Sequence, residues 1–525
     1  MQIRYHRNLA LPTLSWLCEA QLPPTELIVH LGAGVEGADQ FFVEGVWNGD
    51  FAAAGFDRTE CFFGSGAVVR GDTVVFVPSA ATTDWLYYQA TPGRVVVSNS
   101  LPFLLASLGD SLDPHYRAYD SFNDSIVEGI DRYERHLVTT RGTVRRLLFR
   151  NLVVDGRGAA EVDKPLPPAF VCYRDYHDYL DCNYALMARN ARATRRASQL
   201  QVFSTQSRGY DTTAVNAIAA RHGIDKVFTC TKAKGKSGLA NRDRGREQSD
   251  DGSEICRHLG LECIPIDRRR FEREFDEEYL YFASQHANQD ANLLDINRHV
   301  NRPTILLTGI LGEMWYMREH YDSRPVDYIT PELRRWDLGG HGLTEARLSV
   351  GFIQVPVPYM GAQRRPDIFR ISHSDEMAPW RLGTHYDRPI PRRIAEERGV
   401  PRDLFGQVKL ASVVEFVLPR VPFSRPLREE YLAFLIENQL LRRWQARWLP
   451  LVRGINEAVA VHHLARYYAE RGVSIMLRRE FRLPRLWSAL DGSIYCFAVN
   501  KRVRDYGDAL RREPHRPQRR RERAS

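Results

Sequence analysis

From residue 200 onward, short apolar runs alternate with segments whose apolar residues recur every three or four positions. QLQVFSTQ, DKVFTCT and ECIPI are apolar runs of strand length, whereas DTTAVNAIAARHG and EICRHLGL have helical spacing. Strands that alternate with helices form parallel sheets, because each crossover helix brings the chain back to start the next strand in the same direction. PTILLTG is a further candidate for a buried strand. The sequence therefore predicts an α/β fold with a parallel sheet in its second half.

The first part of the chain has a different pattern, in which short apolar runs are broken by Gly, Asp and Pro between residues 41 and about 108. This pattern is typical of antiparallel β structure. We therefore expect a β-rich domain over residues 1–160 and a parallel-sheet domain over 165–500. The C-terminal part of the second domain is predicted to be helical, with two amphipathic helices within 428–452 and 457–472. The polar, charged segment 232–249 is predicted to be a mobile loop.

The formal net charge of +8 comes mainly from residues 501–525, which hold ten Lys and Arg against four Asp and Glu. We expect this segment to be a flexible basic tail, which is either a plain disordered end or a contact for nucleic acid or an acidic partner. No apolar run approaches about 18 residues, and the N-terminus lacks the pattern of a cleaved signal. A cytoplasmic protein with no membrane partner is therefore expected.

The eight cysteines form no CxxC motif, and the closest two, Cys256 and Cys263, are seven positions apart. This spacing suggests neither a zinc site nor a disulfide framework. We therefore expect all eight to be reduced thiols.

The strand QVFSTQ runs into a polar turn at residues 207–213 before helical spacing begins. A strand, a tight turn and a helix start can bind a phosphate through backbone N–H groups and through the hydroxyls of Ser207, Thr212 and Thr213. Asp211 would repel a polyphosphate unless a divalent cation lay between them, which suggests Mg²⁺. Asp and Thr are also ordinary residues at the start of a helix, so a purely structural role stays open. The Walker pattern GxxxxGK[ST] is absent.

A second strand, PTILLT, ends in a turn that contains Thr308, Gly309 and Glu313. Ligands of parallel sheets collect at the carboxyl ends of strands, near the point where the strand order reverses. Glu313 is therefore a second candidate metal ligand. As an alternative, it complements the helix dipole from a first turn.

The order and spacing of these turns resemble those of the asparagine synthetase family. SRGYDTT is similar to the family's pyrophosphate-loop pattern SGGxDS, with Ser207, Gly209 and Asp211 kept and with Arg208 and Thr212 substituted. LTGILGEMW is similar to the pattern LSGxGxDExxxGY, and it has a Glu where the family has the Asp of its metal site. SDDGSEICRHLGLE resembles the acidic pair and helix that lie between these two motifs.

The resemblance extends to the first half, through EGVWNGDFAAAGFD, FVPSAATTDWLYYQ and GRVVVSNSLPFLLAS, and covers residues 40 to about 420. Glutamine-using members carry a Cys nucleophile directly after the initiator Met, whereas this chain has Gln2 there and its first cysteine is Cys18. We therefore expect residues 1–160 to form a glutaminase-like domain without glutaminase activity.

The resemblance implies that the protein binds ATP and Mg²⁺, adenylates a carboxylate with release of pyrophosphate, and transfers the acyl group to an amine or ammonia. The implied metal ligands are Asp211 and Glu313, and the implied catalytic cations are Lys409 and Arg208, with Arg392 as a weaker alternative. Lys409 is equally compatible with an exposed surface lysine. The implied nucleotide-binding residues are Ser207, Gly209, Asp211, Thr212, Thr213, Thr229, Thr308 and Gly309.

Family members that condense a free amine often place a Glu or Tyr where this chain has Ile310. Because an aliphatic side chain cannot act as a base, aspartate is not the expected substrate. The leading hypothesis is an AMP-forming amide ligase for another small-molecule or peptide carboxylate. An inactive nucleotide-binding or scaffold homologue stays open. So does an enzyme that adenylates a nucleic-acid base, although nucleic acid is not the expected partner. A homodimer also stays open.

Overall fold

The structure is a computed structural model. It describes residues 1–235, 247–267, 277–284, 294–315, 343–384, 386–408, 410–411, 422, 424–449, 451–452, 455, 476–477, 490 and 492–512. The chain is mixed α/β, with a β-rich N-terminal region followed by a parallel sheet and helices.

The N-terminal region consists of two sheets. One has seven strands in the order β1-β3-β2-β9-β8-β11-β10, and the other has six in the order β13-β12-β7-β6-β5-β4. Neighbouring strands are antiparallel, except that β1 pairs with β3 in parallel. The strands are β1 (Gln2–Arg7), β2 (Trp16–Gln21), β3 (Glu26–Leu31), β4 (Glu36–Ala38), β5 (Phe41–Trp47), β6 (Phe62–Arg70), β7 (Thr73–Val77), β8 (Leu86–Thr91), β9 (Arg94–Ser98), β10 (His136–Thr139), β11 (Gly142–Leu147), β12 (Asn151–Asp155) and β13 (Gly158–Val162).

The two sheets share an apolar core, because side chains alternate between the faces of each strand. Along β3, every second residue is buried. Trp16 of one sheet contacts Phe42 and Phe76 of the other, with ring centroids 5.0 and 6.2 Å apart. The β-rich character predicted for this region is therefore confirmed.

The second sheet system begins after residue 200. Its strands are β14 (Gln201–Gln206), β15 (Lys226–Cys230), β16 (Lys232–Gly235), β17 (Glu247–Ser249), β18 (Cys263–Ile266), β19 (Thr304–Thr308), β20 (Phe352–Pro356) and β21 (Leu410–Ala411). Five of them form a sheet in the order β18-β15-β14-β19-β20, in which every pair is parallel. The predicted parallel sheet is therefore present.

The strand order reverses between β14 and β19. The chain moves outward from β14 through β15 to β18, and then returns to the other side of β14 for β19 and β20. The carboxyl ends of β14 and β19 thus flank the topological switch point. Both polar turns identified in the sequence begin at these strand ends, since Ser207 follows β14 and Gly309 follows β19.

Helices cover both faces of the parallel sheet and extend beyond it. Their bounds are α1 (Leu101–Leu108), α2 (Tyr119–Asp124), α3 (Tyr173–Ala191), α4 (Tyr210–Ala219), α5 (Ser253–His258), α6 (Glu278–Phe282), α7 (Leu294–Asn297), α8 (Thr344–Val350), α9 (Arg365–His373), α10 (Pro389–Glu397), α11 (Arg425–Glu437), α12 (Arg443–Ala446) and α13 (Ser493–Arg511). In the part of the chain that the structure describes, none of the helices has the length and hydropathy of a membrane span.

Three expectations about individual segments need correction or lie outside the described residues. The segment 232–249 was expected to be a loop, but its two ends are β16 and β17, which form a small antiparallel sheet with β21. The expected tail from residue 501 is helical as far as Arg511, because Tyr506 and Ala509 of α13 pack into the core beside α1. The helix expected within 457–472 lies outside the described residues.

A buried ionic cluster joins the N-terminal region to the parallel-sheet part. Arg347 of α8 donates hydrogen bonds of 3.0 and 3.1 Å to Glu44 of β5 and one of 2.6 Å to Asp84. All three side chains are at most 4% exposed. A charge buried in this way is tolerated only when it is paired, so this cluster fixes one relative arrangement of the two parts.

Candidate active site

The turn after β14 is closed by its own side chains. The Ser207 backbone N–H donates to Thr212 Oγ1 over 3.1 Å, and the Ser207 and Thr212 hydroxyls are 2.9 Å apart. The Gly209 N–H donates to Ser207 Oγ over 3.1 Å, while Thr213 Oγ1 donates to the Gly209 carbonyl over 2.7 Å. These bonds fix the turn ahead of the N-terminus of α4, where backbone N–H groups and the helix dipole favour an anion.

The turns after β14 and β19 meet at Asp211. A Cβ added to Gly309 would lie 2.8 Å from both Asp211 Cβ and Thr212 N, and one added to Gly312 would lie 2.2 Å from Asp211 Cγ. Only glycine permits so close an approach. Leu311 between them has a φ of 66°, a left-handed conformation that is uncommon for leucine. The two turns therefore converge, as the sequence predicted.

Arg388 contacts both turns and was not identified from the sequence. Its guanidinium forms an ion pair with the Asp211 carboxylate and donates a 3.0 Å hydrogen bond to the Gly312 carbonyl. Only 6% of its side chain is exposed. A cation in this position can neutralise negative charge that a ligand brings to the start of α4. The one sequence signal was its place just before the proline that starts α10.

A second arginine supports the helix that carries Asp211. Arg392 of α10 donates a 2.5 Å hydrogen bond to the Tyr210 hydroxyl, and its guanidinium lies 4.9 Å from the centre of the Tyr210 ring. Burial raises the pKa of Tyr210, so the phenol stays neutral and accepts this bond. Arg392 was the weaker candidate for the catalytic cation, and the structure places it against Tyr210, with its side chain fully buried.

The acidic loop before α5 also contacts the turn after β14. Asp250, which is 3% exposed, accepts a 2.9 Å hydrogen bond from the Arg208 backbone N–H. The Gly252 N–H donates to Thr229 Oγ1 over 2.9 Å. Thr229, one of the implied nucleotide-binding residues, is fully buried, and its hydroxyl accepts this bond from the loop.

The other predicted cations and ligands have the following positions. The Arg208 side chain donates a 3.1 Å hydrogen bond from Nε to the Leu404 carbonyl. Lys409 lies outside the described residues. Glu313 belongs to the single helical turn Gly312–Trp315, directly after the glycine that contacts Asp211. The position of its side chain is outside what the structure describes.

Buried polar groups without partners lie on the face of the sheet opposite α4. Within the described part of the chain, Thr308 Oγ1 and both amide atoms of Gln354 form no hydrogen bond, although the residues are 4% and 1% exposed. Gln354 pairs with Leu306, and Thr308 pairs with Pro356, so the two polar side chains are diagonal neighbours on one face. Buried polar groups of this kind usually have a partner. No pattern in the chain had singled out Gln354.

The start of α4 and the Asp211 carboxylate are the described groups at the switch point that could hold an anion and its metal ion. Among the described residues, no three His, Cys, Asp or Glu side chains form a group that could hold a metal. Gly309 and Gly312 let the second turn pack directly on Asp211, and the closed first turn leads into the N–H groups at the start of α4. Mg²⁺ would then be held chiefly by phosphate oxygens, with Asp211 as the protein ligand that the structure describes.

Gln2 stands where the resemblance would place a cysteine nucleophile, and both cysteines of the N-terminal region, Cys18 and Cys61, are buried, which raises the pKa of each thiol. Gln2 begins the exposed edge strand β1. Cys18 is fully buried between the sheets, and burial raises the pKa of its thiol well above the ordinary value. A neutral thiol in such a position is not a nucleophile.

Compared with protein-family models and with curated proteins, the chain matches none.

Proposed function

We propose that this protein is an ATP-dependent, AMP-forming ligase that activates a carboxylate and passes it to an amine or ammonia. One observation carries the proposal. Two turns at the switch point of a parallel sheet close on a single carboxylate, Asp211, beside the start of α4, and the buried Arg388 contacts both turns. Nucleotides bind at switch points of parallel sheets, and the resemblance of both turns to the asparagine synthetase family is our reason for proposing pyrophosphate release.

In this proposal the described residues have separate tasks. The N–H groups at the start of α4 and the hydroxyls of Ser207 and Thr212 bind the pyrophosphate part of ATP. Arg388 offsets the charge that develops on the leaving pyrophosphate, and Asp211 keeps its guanidinium in place. Asp211 would also hold Mg²⁺ together with the phosphates, and the bound metal would supply Lewis-acid stabilisation of the same charge. Thr308 and Gln354 face the side on which the carboxylate substrate binds, where neutral donors and acceptors orient it without acting as bases.

The first test is equilibrium binding of ATP in the presence of Mg²⁺, measured by isothermal titration calorimetry, and the same titration with EDTA. We expect Mg²⁺-dependent binding, and we expect Asp211→Asn to weaken it at least about tenfold, or about 1.4 kcal/mol. The matched control is Asp163→Asn, which removes a carboxylate that is 75% exposed in the N-terminal region. If wild-type protein does not bind ATP with Mg²⁺, the proposal is wrong.

The second test measures turnover. The protein is incubated with ATP, Mg²⁺, hydroxylamine and a panel of carboxylates that includes aspartate, glutamate and short acidic peptides. We expect AMP and pyrophosphate in equal amounts, together with a hydroxamate, for a member of the panel other than free aspartate. ADP and phosphate as products would contradict adenylation.

A specific observation favours one alternative, a homologue that binds nucleotide without turnover. The Asp211 carboxylate already forms an ion pair with Arg388, and this competes with its use as a metal ligand. Such a protein would pass the binding test but release no pyrophosphate with any carboxylate of the panel. The two tests together therefore separate the alternatives.

A further inference from the structure

Four large apolar side chains are exposed to solvent shortly after α11. They are Trp444, Trp448, Leu451 and Ile455, and the two tryptophans are 60% and 54% exposed. Tryptophan is highly buried on average. Four other tryptophans of this chain follow that rule and are at most 1% exposed: Trp16, Trp47, Trp85 and Trp315.

The four exposed residues lie on one side of helical turns. They are separated by four, three and four positions, which is the spacing of a single helix face. The Ala446 N–H donates to the Arg442 carbonyl over 3.3 Å, and the Val452 N–H donates to the Trp448 carbonyl over 3.0 Å. Leu449 and Val452 are buried. The inner side of these turns is therefore packed, and an apolar stripe stays on the outer side, which is typical of an interaction surface.

Positive charge flanks this apolar stripe. Residues 438–456 contain four Arg and no Asp or Glu. Arg442, Arg443 and Arg447 are exposed, and none of the three has an acidic partner among the residues that the structure describes. Arg443 and Arg447 are four positions apart, so they lie on the same side of the turns, each next to one of the tryptophans in sequence. The surface therefore combines apolar side chains with cations that no carboxylate neutralises.

This combination fits an anionic lipid surface better than other occupants. A second copy of the chain would bring the same arginines to the interface, where like charges repel. A single-stranded nucleic acid would stack bases on the tryptophans, but it would leave the aliphatic Leu451 and Ile455 without a role. A membrane interface accommodates tryptophan rings at the head-group level, aliphatic chains at the acyl boundary and arginines against anionic head groups.

We propose that Arg443, Trp444, Arg447, Trp448 and Leu451 form a Trp–Arg surface that docks the protein on an anionic lipid surface. Docking of this kind lies in the plane of the interface and needs no membrane-spanning helix. The expectation of no membrane partner rested on the absence of a long apolar run, which bears only on spanning segments. The proposal does not depend on the nucleotide site, because none of the five residues belongs to it.

The first measurement is co-sedimentation of the full-length protein with sucrose-loaded vesicles. One set of vesicles is pure phosphatidylcholine, and in the other set phosphatidylserine replaces one third of the lipid. We expect the anionic vesicles to bind the protein at least about tenfold more strongly, because the arginines are attracted by the negative surface potential. Added salt should weaken this binding by screening. Equal binding to both sets would overturn the proposal.

Two double variants separate the charges from the rings. Arg443→Gln with Arg447→Gln, and Trp444→Ser with Trp448→Ser, should each weaken binding to the anionic vesicles at least about tenfold. Because all four side chains are exposed, thermal unfolding should not change. If either double variant binds as wild type does, the Trp–Arg surface is not the docking site.

The matched controls remove the same kinds of exposed side chain elsewhere and should bind as wild type does. They are Arg157→Gln with Arg174→Gln, and Leu166→Ser with Val171→Ser. All variants keep the basic residues after Arg512. Binding through that end alone would therefore be equal in every variant, and this result would contradict the proposal.

The second measurement is quenching of tryptophan fluorescence by vesicles with brominated acyl chains. We expect Trp444 and Trp448 to reach the acyl boundary, so quenching should be seen in wild type and lost in Trp444→Phe with Trp448→Phe, which keeps two apolar rings for docking. Vesicle binding without quenching would show that the rings do not enter the lipid. Retention of a single-stranded RNA through the same two tryptophans, with no vesicle binding, would assign the surface to nucleic acid and overturn the proposal.

Discussion

Lys164 shows at the residue scale how burial sets the ionisation of a side chain. It is 3% exposed, and its ammonium donates a 2.6 Å hydrogen bond to Asn151 Oδ1. Burial lowers the pKa of Lys164 from its ordinary 10.5 to about 7. The folded state therefore releases a proton that the unfolded chain still binds between pH 7 and 10.5. A neutral amide partner cannot offset the cost of burying the charge.

We predict that this lysine makes the protein more stable as the pH rises above 7. The unfolded chain binds about one more proton in this range, so the contribution grows by about 1 kcal/mol per pH unit and is lost as the pH falls toward 7. Urea denaturation at pH 7, 8 and 9 should show this slope in wild type relative to Lys164→Met. Buried thiols such as Cys18, whose pKa is raised, titrate in both proteins and cancel in the difference. Equal slopes would mean that Lys164 stays charged in the folded protein.

At the scale of elements, the candidate site depends on how closely two strand ends approach each other. β14 and β19 are adjacent and parallel, so the turns that follow them leave the sheet at the same edge. Gly309 and Gly312 then let the second turn pack directly on Asp211 in the first turn of α4. A side chain at Gly309 or Gly312 would clash with Asp211.

Gly312→Ala should therefore disrupt the site more than it disrupts the fold. The new methyl group would lie 2.2 Å from Asp211 Cγ, and overpacking of this kind costs about 1–3 kcal/mol. We expect thermal unfolding to shift downward and ATP affinity to fall at least tenfold. Gly55→Ala is the control, because no atom lies within 4 Å of the added Cβ. Unchanged ATP affinity in Gly312→Ala would show that the turn after β19 plays no part in binding.

At the scale of the whole molecule, the two sheet systems share one ionic cluster. Arg347 bridges Glu44 and Asp84 of the N-terminal region from α8, just before β20 of the parallel sheet. On the other side of the same helix turn, Glu345 accepts hydrogen bonds from Ser100 and from Arg502 of α13. The N-terminal region, the parallel sheet and the C-terminal helix are therefore held by residues of a single short helix.

Arg347→Met should lower the free energy of unfolding by about 3–5 kcal/mol, because it leaves two buried carboxylates without their partner. The matched control, Arg157→Met, removes an arginine that is 93% exposed and should change stability by at most about 0.5 kcal/mol. Chemical denaturation measures both. Adding Glu44→Gln to Arg347→Met should cost less than the sum of the single changes, since the two residues form one cluster. Full additivity would argue against the cluster.

The spacing of apolar and polar residues along the chain predicted many of the individual strands, turns and helices. One example is the continuous run of strand β14, the closed turn with Ser207 and Thr212, and helix α4. Because these elements follow one another in the chain, the spacing of their apolar and polar residues was sufficient to predict them. The helical part of the expected tail was missed because its many charges concealed the spacing of Tyr506 and Ala509, which pack in the core.

Neighbouring residues were enough to predict the alternation of strands and helices and a polar turn at the end of each of two strands, because these features are local. The meeting of the two turns on Asp211, and the contact that Arg388 adds from 177 positions away, are visible only in the folded chain. The same is true of Arg347, which meets Glu44 across 303 positions. Such contacts depend on strand order and packing, which no periodicity along the chain encodes.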